Sequence, residues 1–428
     1  MTRVSKTWKD YIRGQPSFWL DISFTGLGPP ASVDTVKKCI QYSLKTVKRI
    51  HIRNVKNALN SLQLAYQCPK LEHLYIDCKV TEDHLYKLFQ SKHTLKTLII
   101  SDDIRINNQH AVNLLKLPNL EHFEVHRYVM EASLPMTHGL PLMNMKCLRL
   151  VVSPALGRTW FLPFWIRRLA GTDETYCEQT PKLETFYLAG ASFNKPMLGP
   201  LSFCLDCICY PSFKTINLEN LQLGGLFRFH ENLEYLNITC CDAYHVTWID
   251  NEREFMLPKL KSLTLHNLDW VRSFHVDRLL KHNSGVLENL KIVLCGNFTL
   301  SEFEELIGSV PDAFRNLKSL QVYGMGLYYL PDRVAFQVLE KTPLLKELHV
   351  PHTMVTGSLI RKIIQSRDQS SSTEETTKNT LPGIDVLNLT GCEDVSTEAV
   401  EWGRLNGLKI LRRSSCLLSD KLRALMPL

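Results

Sequence analysis

The sequence contains no run of about 18 uncharged apolar residues, and no stretch near its start in which a basic head precedes an apolar segment. The first absence excludes a helical membrane span, and the second a secretory signal of the usual form. Motifs that carry catalysis are also missing. There is no G-x-S-x-G, no H-E-x-x-H and no Walker-type glycine-rich loop, and no cysteine and histidine share a defined neighbourhood. The expectation is a soluble, intracellular protein of the nucleus or cytoplasm that is not an enzyme and carries no cofactor.

What is present in quantity is length and apolar content. At 428 residues and 44% hydrophobic, the chain calls for several domains or for a repeat architecture. Its 13 cysteines are odd in number and scattered, which fits reduced thiols rather than a disulfide framework. The net charge of +7 is unevenly placed. Residues 1–70 hold 12 lysines and arginines against 3 acids, or +9, which leaves −2 for the other 358. A basic end of this kind meets nucleic acid or an acidic protein surface, or is simply a solvated face.

One pattern recurs along the body of the chain: apolar-x-x-apolar-x-apolar. It starts at 47 (VKRIHI), 71 (LEHLYI), 95 (LKTLII), 120 (LEHFEV), 145 (MKCLRL), 183 (LETFYL) and 213 (FKTINL). It continues at 233, 260, 287, 317, 345, 384 and 408, departing from the pattern at Arg413. Fourteen starts from 47 to 408 give a mean spacing near 28, inside the roughly 20–29 of leucine-rich repeats. The last three positions of each unit alternate apolar, polar, apolar, which describes a short strand with one buried side. One unit cannot bury its own face, whereas stacked neighbours can. The fold expected is an α/β leucine-rich-repeat solenoid, with parallel strands on a concave face and helices outside. The segment TEDHLYKLFQ (81–90) supports a helix by placing Leu85, Leu88 and Phe89 on one side.

Four repeats carry a cysteine three residues past the strand: Cys241, Cys295, Cys392 and Cys416. That position resembles the cysteine-containing class of leucine-rich repeat, in which a small buried side chain fills the turn. Cys204, Cys207 and Cys209 in FCLDCICY, with Cys177, have the spacing of half a zinc site but lack a second pair, so no metal site is expected. Two repeats are long. The insertion near 151–182 includes TWFLPFWIRR, read as a covering helix. The one near 365–380 includes QSRDQSSSTEETTKN, which has no apolar residue and reads as a disordered, phosphorylatable loop.

The polar strand positions supply the candidate binding residues. His51, Arg53, Tyr75, Glu124, His126, Arg149, Tyr187, Tyr235 and Tyr323 are expected to line the concave face, with further histidines at 73, 122, 266 and 349. A rigid platform rich in Tyr, His and Arg suits recognition of a protein target.

Near the start, Val4, Trp8 and Ile12 are spaced as on a helix that Gly14–Pro16 ends, and SFWLDISF follows as a short helix or turn. In VSKTWKDYIRGQPSFWLDI, the residues Val4, Ser5, Lys6, Trp8, Ile12, Pro16, Phe18 and Trp19 match the ending of an F-box. With PSFWLDISFTGLGPPASVDTVKKCI and LKTVKRIHI after it, the chain resembles F-box/leucine-rich-repeat proteins of the fungal type that also carry tetratricopeptide repeats. That resemblance implies the substrate-recognition subunit of an SCF-type ubiquitin ligase, with a nuclear role in genome maintenance and replication control. The F-box would dock on a SKP-type adaptor and through it on a cullin, while the repeats hold a protein substrate. Val4, Trp8, Ile12, Pro16 and Trp19 would form the adaptor-binding core. The Leu-Pro start and first helix of an F-box are absent from these residues. The expected organisation is a partial F-box over 1–24, belonging to a fragment or a degenerate module, a connecting helix or cap over 25–46, and repeats over 47–428. The alternative is an interaction scaffold without ligase docking, associated with chromatin through the basic end.

Overall fold

The computed structural model describes residues 19–24, 29–43, 45–53, 65–77, 94–106, 117–130, 144–153, 183–190, 201–204, 212–226, 231–247, 257–281, 285–372 and 383–412, with residues 11, 15, 55, 63, 83, 86–88 and 283 besides. They divide into two compact units, Met1–Phe213 with Asn220–Gln222, and Lys214–Glu219 with Leu223–Leu428.

The first unit is a stack of parallel strands in chain order: β1 (Asp21–Phe24), β2 (Arg49–Ile52), β3 (His73–Ile76), β4 (Thr97–Ile106), β5 (His122–Met130), β6 (Cys147–Ser153) and β7 (Thr185–Gly190). The repeat pattern explains the packing. All three apolar positions of each motif are sealed, as with Val47, Ile50 and Ile52, then Leu71, Leu74 and Ile76, then Leu95, Leu98 and Ile100, none more than 1% exposed. Each such side chain contributes about 1.5–3 kcal/mol when buried. The intervening positions point to the other face.

The array begins earlier than the repeat count suggests. Asp21–Phe24, expected as a short helix or turn, is a strand whose Ile22 is buried between outward Asp21 and Ser23. The Leu20 carbonyl accepts from both Lys48 and Arg49, and Arg49 Nη1 lies 2.9 Å from Asp21 Oδ2. The two-residue alternation in DISF outweighs the aromatic residues before it. The helix Val33–Ser43 follows and buries Val36 and Ile40, one turn apart. In the TEDHLYKLFQ segment, Asp83 and 86–88 are helical and Leu88 is buried.

The second unit repeats the scheme with β9 (Thr215–Glu219), β11 (Tyr235–Thr239), β13 (Ser262–His266), β14 (Asn289–Val293), β15 (Ser319–Tyr323), β16 (Glu347–His349), β17 (Val386–Asn388) and β18 (Lys409–Leu411), all parallel. Helices do not return the chain after every strand. Following β9 and β11 the chain runs into further strands, β10 (Leu221–Leu226) and β12 (Asp242–Thr247), which neighbour each other in a small second sheet. Leu221 and Leu223 alternate into the core there. From β13 onward helices take over, over Ser273–Leu280, Leu300–Ser309, Asp332–Lys341, Gly357–Ser372 and Thr397–Leu405. The Leu300–Ser309 helix starts on a capping box: Glu302 N–H donates to Thr299 Oγ1 at 3.3 Å, and Thr299 N–H to Glu302 Oε2 at 2.9 Å.

The stretch 365–372, expected as part of a disordered loop, is the end of the Gly357–Ser372 helix. Leu359, Ile360, Ile363 and Ile364 bury one helical face, and Ser366 Oγ donates back to the Lys362 carbonyl. Arg367 ties the last turns to Asp385 at 3.3 Å. An apolar stripe upstream thus carries the helix into a segment with no apolar residue of its own. Residues 373–382 lie outside the described residues, as does 154–182 with TWFLPFWIRR.

The cysteine turns follow one design. The residue before each cysteine takes a left-handed backbone: Cys240 at φ 52°, Leu294 at 53° and Gly391 at 72°. Cys241, Cys295 and Cys392 then fill the turn, buried, with each thiol turned to backbone carbonyls, such as Thr239 O for Cys241 and Val350 O for Cys392. Burial pushes the Cys295 thiol up to about 11, so these are inert fillers. Cys416 lies outside the described residues, as do Cys177, Cys207 and Cys209, while Cys204 ends the strand Leu201–Cys204 (β8). Among the described residues no group of three or more His, Cys, Asp or Glu side chains is arranged to hold a metal ion, and no helix is long and apolar enough to cross a membrane.

A charge ladder runs along the edge where the strands begin. The second motif position reads Lys48, Glu72, Lys96, Glu121, Lys146, Glu184 in the first unit. Glu72 lies 3.2 Å from Lys48 and 2.9 Å from Lys96, and Glu121 lies 2.8 Å from Lys146. The second unit continues the design with Glu234–Lys261 at 2.6 Å and Glu288–Lys318 at 3.1 Å. Exposed pairs are worth about 0–1 kcal/mol each. Their alternation disfavours a repeat slipping past its neighbour, because a shift by one repeat would set like charges side by side.

Candidate functional site

The outward face of the first unit gathers the candidate binding residues. Strand register sets Ser23, His51, Tyr75, Ile99, Glu124, Arg149 and Tyr187 in one row across β1–β7, at the roughly 4.8 Å spacing of neighbouring strands. Five of the nine residues expected on this face, His51, Tyr75, Glu124, Arg149 and Tyr187, stand in that row. Arg53 lies two residues past His51, and His126 two past Glu124, on the same side.

The row holds two groups of contacts, one on either side of Ile99. The His51 and Tyr75 rings lie 5.5 Å apart, and Arg53 Nε is 2.9 Å from Asp77 Oδ2. Glu124 is the hub. Its Oε2 lies 3.3 Å from His122 Nε2, and its Oε1 lies 2.5 Å from His126 Nε2 and 3.4 Å from Arg149 Nε. The Arg149 guanidinium in turn lies 4.4 Å over the Tyr187 ring, a cation–π contact. An aromatic ring thus lies beside the charged centre at Glu124 and Arg149, and the His51–Tyr75 ring pair stands on the other side of Ile99.

The electrostatics follow from these contacts. The hydrogen bond with His122 holds the Glu124 carboxyl down at about 2, against the opposing effect of burial and with help from His126 and Arg149. Hydrogen bonds to Cys147 and then to Glu124 push the His122 imidazole up to about 9. His51 and His73 are lowered by burial instead, which leaves them neutral at pH 7. The stabilisation from Glu124 is complete above 4.5, its ordinary value, and is lost as pH falls through about 2. That from His122 is complete below 6.5 and is lost as pH rises through about 9. Glu124→Gln should therefore lower the thermal midpoint most between pH 4.5 and 6.5, with the difference from the parent chain shrinking on either side. Thermal unfolding of both chains across pH checks this, and a pH-independent difference would contradict it.

Tyr235 and Tyr323 do not share a row in the second unit. Tyr235 stands in the first outward row beside Thr215 and Ser262, and is exposed. Tyr323 stands in the third, beside Val293, half-buried. The middle row there is Asn217, Asn237, Thr264, Lys291, Gln321, His349 and Asn388, polar and nearly uncharged.

At the start of the chain the structure describes Trp19, whose ring lies 5.8 Å from Tyr42 on the Val33–Ser43 helix. Val4, Trp8, Ile12 and Pro16 lie outside the described residues. Part of the basic excess over 1–70 is paired: Lys48 with Glu72, Arg49 with Asp21 and Arg53 with Asp77.

Sequence reading missed one arrangement. Cys147 stands directly across from His122 in the β5–β6 register. The signal was available in the third positions of LEHFEV and MKCLRL, which align as neighbours once the repeats are stacked.

These features define a leucine-rich-repeat-type protein with a polar outward face. No family model matches the chain, and no curated protein matches it. Among solved structures it is similar to a chain of the yeast Rad7 and Elc1 complex, at 16% identity and TM-score 0.47, covering 90% of this chain and 85% of that one. It is also similar to an internalin (inlF) from Listeria monocytogenes, at 12% identity and TM-score 0.43, covering 92% and 88%. A third likeness is to TLR13 in its complex with ssRNA13, at 12% identity and TM-score 0.37, covering 88% and 55%.

Proposed function

We propose that this chain recognises a protein partner through the outward row of its first unit, and that it does so as the substrate-selecting subunit of a ubiquitin ligase. The observation that carries the recognition step is that His51, Tyr75, Glu124, Arg149 and Tyr187 share one register row. Tyr and Arg held rigidly by neighbours lose little freedom on binding, which is the property of residues that dominate protein interfaces. The ligase step rests on the resemblance of residues 4–19 to an F-box ending, which supports a SKP-type adaptor and a cullin as partners. A chromatin scaffold is the second reading. The ion pairs of Lys48, Arg49 and Arg53 weigh against nucleic acid, because cations already matched by carboxylates gain less from phosphate.

Affinity purification from cells tests both steps, with the full chain compared to a Tyr75→Ala, Arg149→Ala, Tyr187→Ala variant. The expected result is adaptor and cullin recovered with both chains, and a protein partner reduced at least about tenfold with the variant. Loss of the partner with no adaptor in either sample would leave the scaffold. Full retention of every partner by the variant would remove the recognition reading.

A further inference from the structure

We propose that Arg149 anchors the carboxylate of an acidic side chain on the partner, and that this acid belongs to an extended segment whose apolar residue three positions away rests on Ile99 and Tyr75. The proposal rests on the recognition reading and adds to it the chemistry of what the row takes.

Arg149 is held in place but keeps free donors. Its guanidinium lies 4.4 Å over the Tyr187 ring, and its Nε lies 3.4 Å from Glu124 Oε1. Nη1 and Nη2 make no hydrogen bond among the described residues. The Arg149 side chain is 45% exposed against 13% for Glu124, so an incoming group meets the cation first. Two terminal nitrogens in a fixed plane match the two oxygens of a carboxylate, which gives a bidentate, charge-assisted pair.

Glu124 leaves that place open. Its Oε2 lies 3.3 Å from His122 Nε2, and its Oε1 lies 2.5 Å from His126 Nε2, so Arg149 shares one carboxylate with two imidazoles. A partner carboxylate supplies the second anion. A doubly charged phosphate would call for another cation within reach, and the described ones are committed: Lys146 to Glu121 at 2.8 Å, and both histidines to Glu124. A single negative charge matches what remains.

Register sets the spacing of the segment. Along the row, Ile99 stands two strands from Arg149 and Tyr75 three. Neighbouring strands lie about 4.8 Å apart, which puts Ile99 about 10 Å from the anchor. An extended chain advances about 3.3 Å per residue, so three residues cover that distance. Ile99 and Tyr75 are uncharged and part-exposed, a seat for an aliphatic or aromatic side chain. The width of the row favours an extended segment over a helix. Outward rows are two residues apart, about 6.6 Å, whereas a helix is about 10–12 Å across. A helix would also cover the Arg53–Asp77 ion pair in the next row.

The test uses the purified full chain and a phage-displayed library of random peptides. Enriched sequences should carry Asp or Glu three residues from Leu, Ile, Val or Phe. One such peptide, fluorescently labelled, is then titrated against the parent, Arg149→Ala, Arg149→Lys and Tyr75→Ala. Replacing its acid by the matching amide should weaken binding to the parent at least about fivefold and to Arg149→Ala less than about twofold, because the two groups act as a pair. Arg149→Lys, which keeps the charge without the fork, should fall between parent and Arg149→Ala. Two results overturn the inference and leave recognition by the row standing: peptides lost with Tyr75→Ala that carry no acid, or an amide form weakened as much against Arg149→Ala as against the parent. Peptides indifferent to both Tyr75→Ala and Arg149→Ala overturn the recognition reading with it. A library that yields no peptide also overturns the inference, which requires that a short segment suffice.

Discussion

Asn283→Leu should lower the unfolding free energy by about 3–5 kcal/mol, although it replaces a polar side chain in the core with an apolar one of similar size. Asn283 is 2% exposed and makes four hydrogen bonds. Its Nδ2 donates to the carbonyls of Leu257 and Leu260, at 3.4 and 2.8 Å, and its Oδ1 accepts from the N–H groups of Val286 and Leu287, at 3.0 and 3.1 Å. One amide therefore links the backbone just before β13 to the backbone just before β14. Leucine would leave the Leu260 carbonyl and the N–H groups of Val286 and Leu287 without this partner, each costing about 1–3 kcal/mol, while the Leu257 carbonyl still accepts from Leu260 N–H, against about 1–2 kcal/mol from the added apolar contact. Denaturant unfolding of the two chains measures the difference, and a loss under about 1 kcal/mol would show that water or a backbone shift takes over the amide's role.

Phe303→Ala should cost a similar amount, about 3–5 kcal/mol, by a different route. Phe303 is 1% exposed on the Leu300–Ser309 helix, with its ring edge-on to buried Phe298, centroids 6.3 Å apart. Truncation opens a cavity that two packed elements cannot close. Phe303→Leu retains most of the volume and should cost less than about 1.5 kcal/mol. Equal losses for the two variants would indicate that the ring–ring contact, rather than the filled volume, holds the site. Because stacked repeats can unfold in parts, both experiments need two probes whose transitions coincide.

The parallel strands were legible because their signal is local: three apolar positions in six residues, repeated with the same polar gaps. The cysteine turns were legible for the same reason. What escaped depends on neighbours in space. The strand Asp21–Phe24 carries the motif with Trp19 in place of the usual leading aliphatic residue, Ile22 and Phe24 following, and it is identified by its register with β2 and by the Leu20 carbonyl accepting from Lys48 and Arg49. The helix through Ser372 is carried by apolar residues that precede the polar segment. The returns after β9 and β11 are strands, because Leu221 and Leu223 alternate inward where a helix would need a wider apolar stripe.

The candidate face divides the same way. Alternation within each strand identifies which residues face outward, so His51, Tyr75, Glu124, Arg149 and Tyr187 could be named one at a time. Register is what turns them into a row, and it separates Tyr235 from Tyr323. The hub at Glu124 and the Cys147–His122 pair appear only when β5 and β6 are laid side by side. The alternating lysines and glutamates at the strand starts are a third feature of this kind, plain in the sequence once the motifs are stacked.

The central claim is that the outward row of the first unit holds a protein partner. Its most direct test is the dissociation constant of the purified partner for the parent chain, for Arg149→Ala, and for Tyr329→Ala as a control, since Tyr329 is an exposed aromatic of the second unit that is not a member of that row. The account predicts at least about tenfold weaker binding for Arg149→Ala, or about 1.4 kcal/mol, and no change for the control. An Arg149→Ala chain that folds normally and binds as tightly as the parent would contradict it.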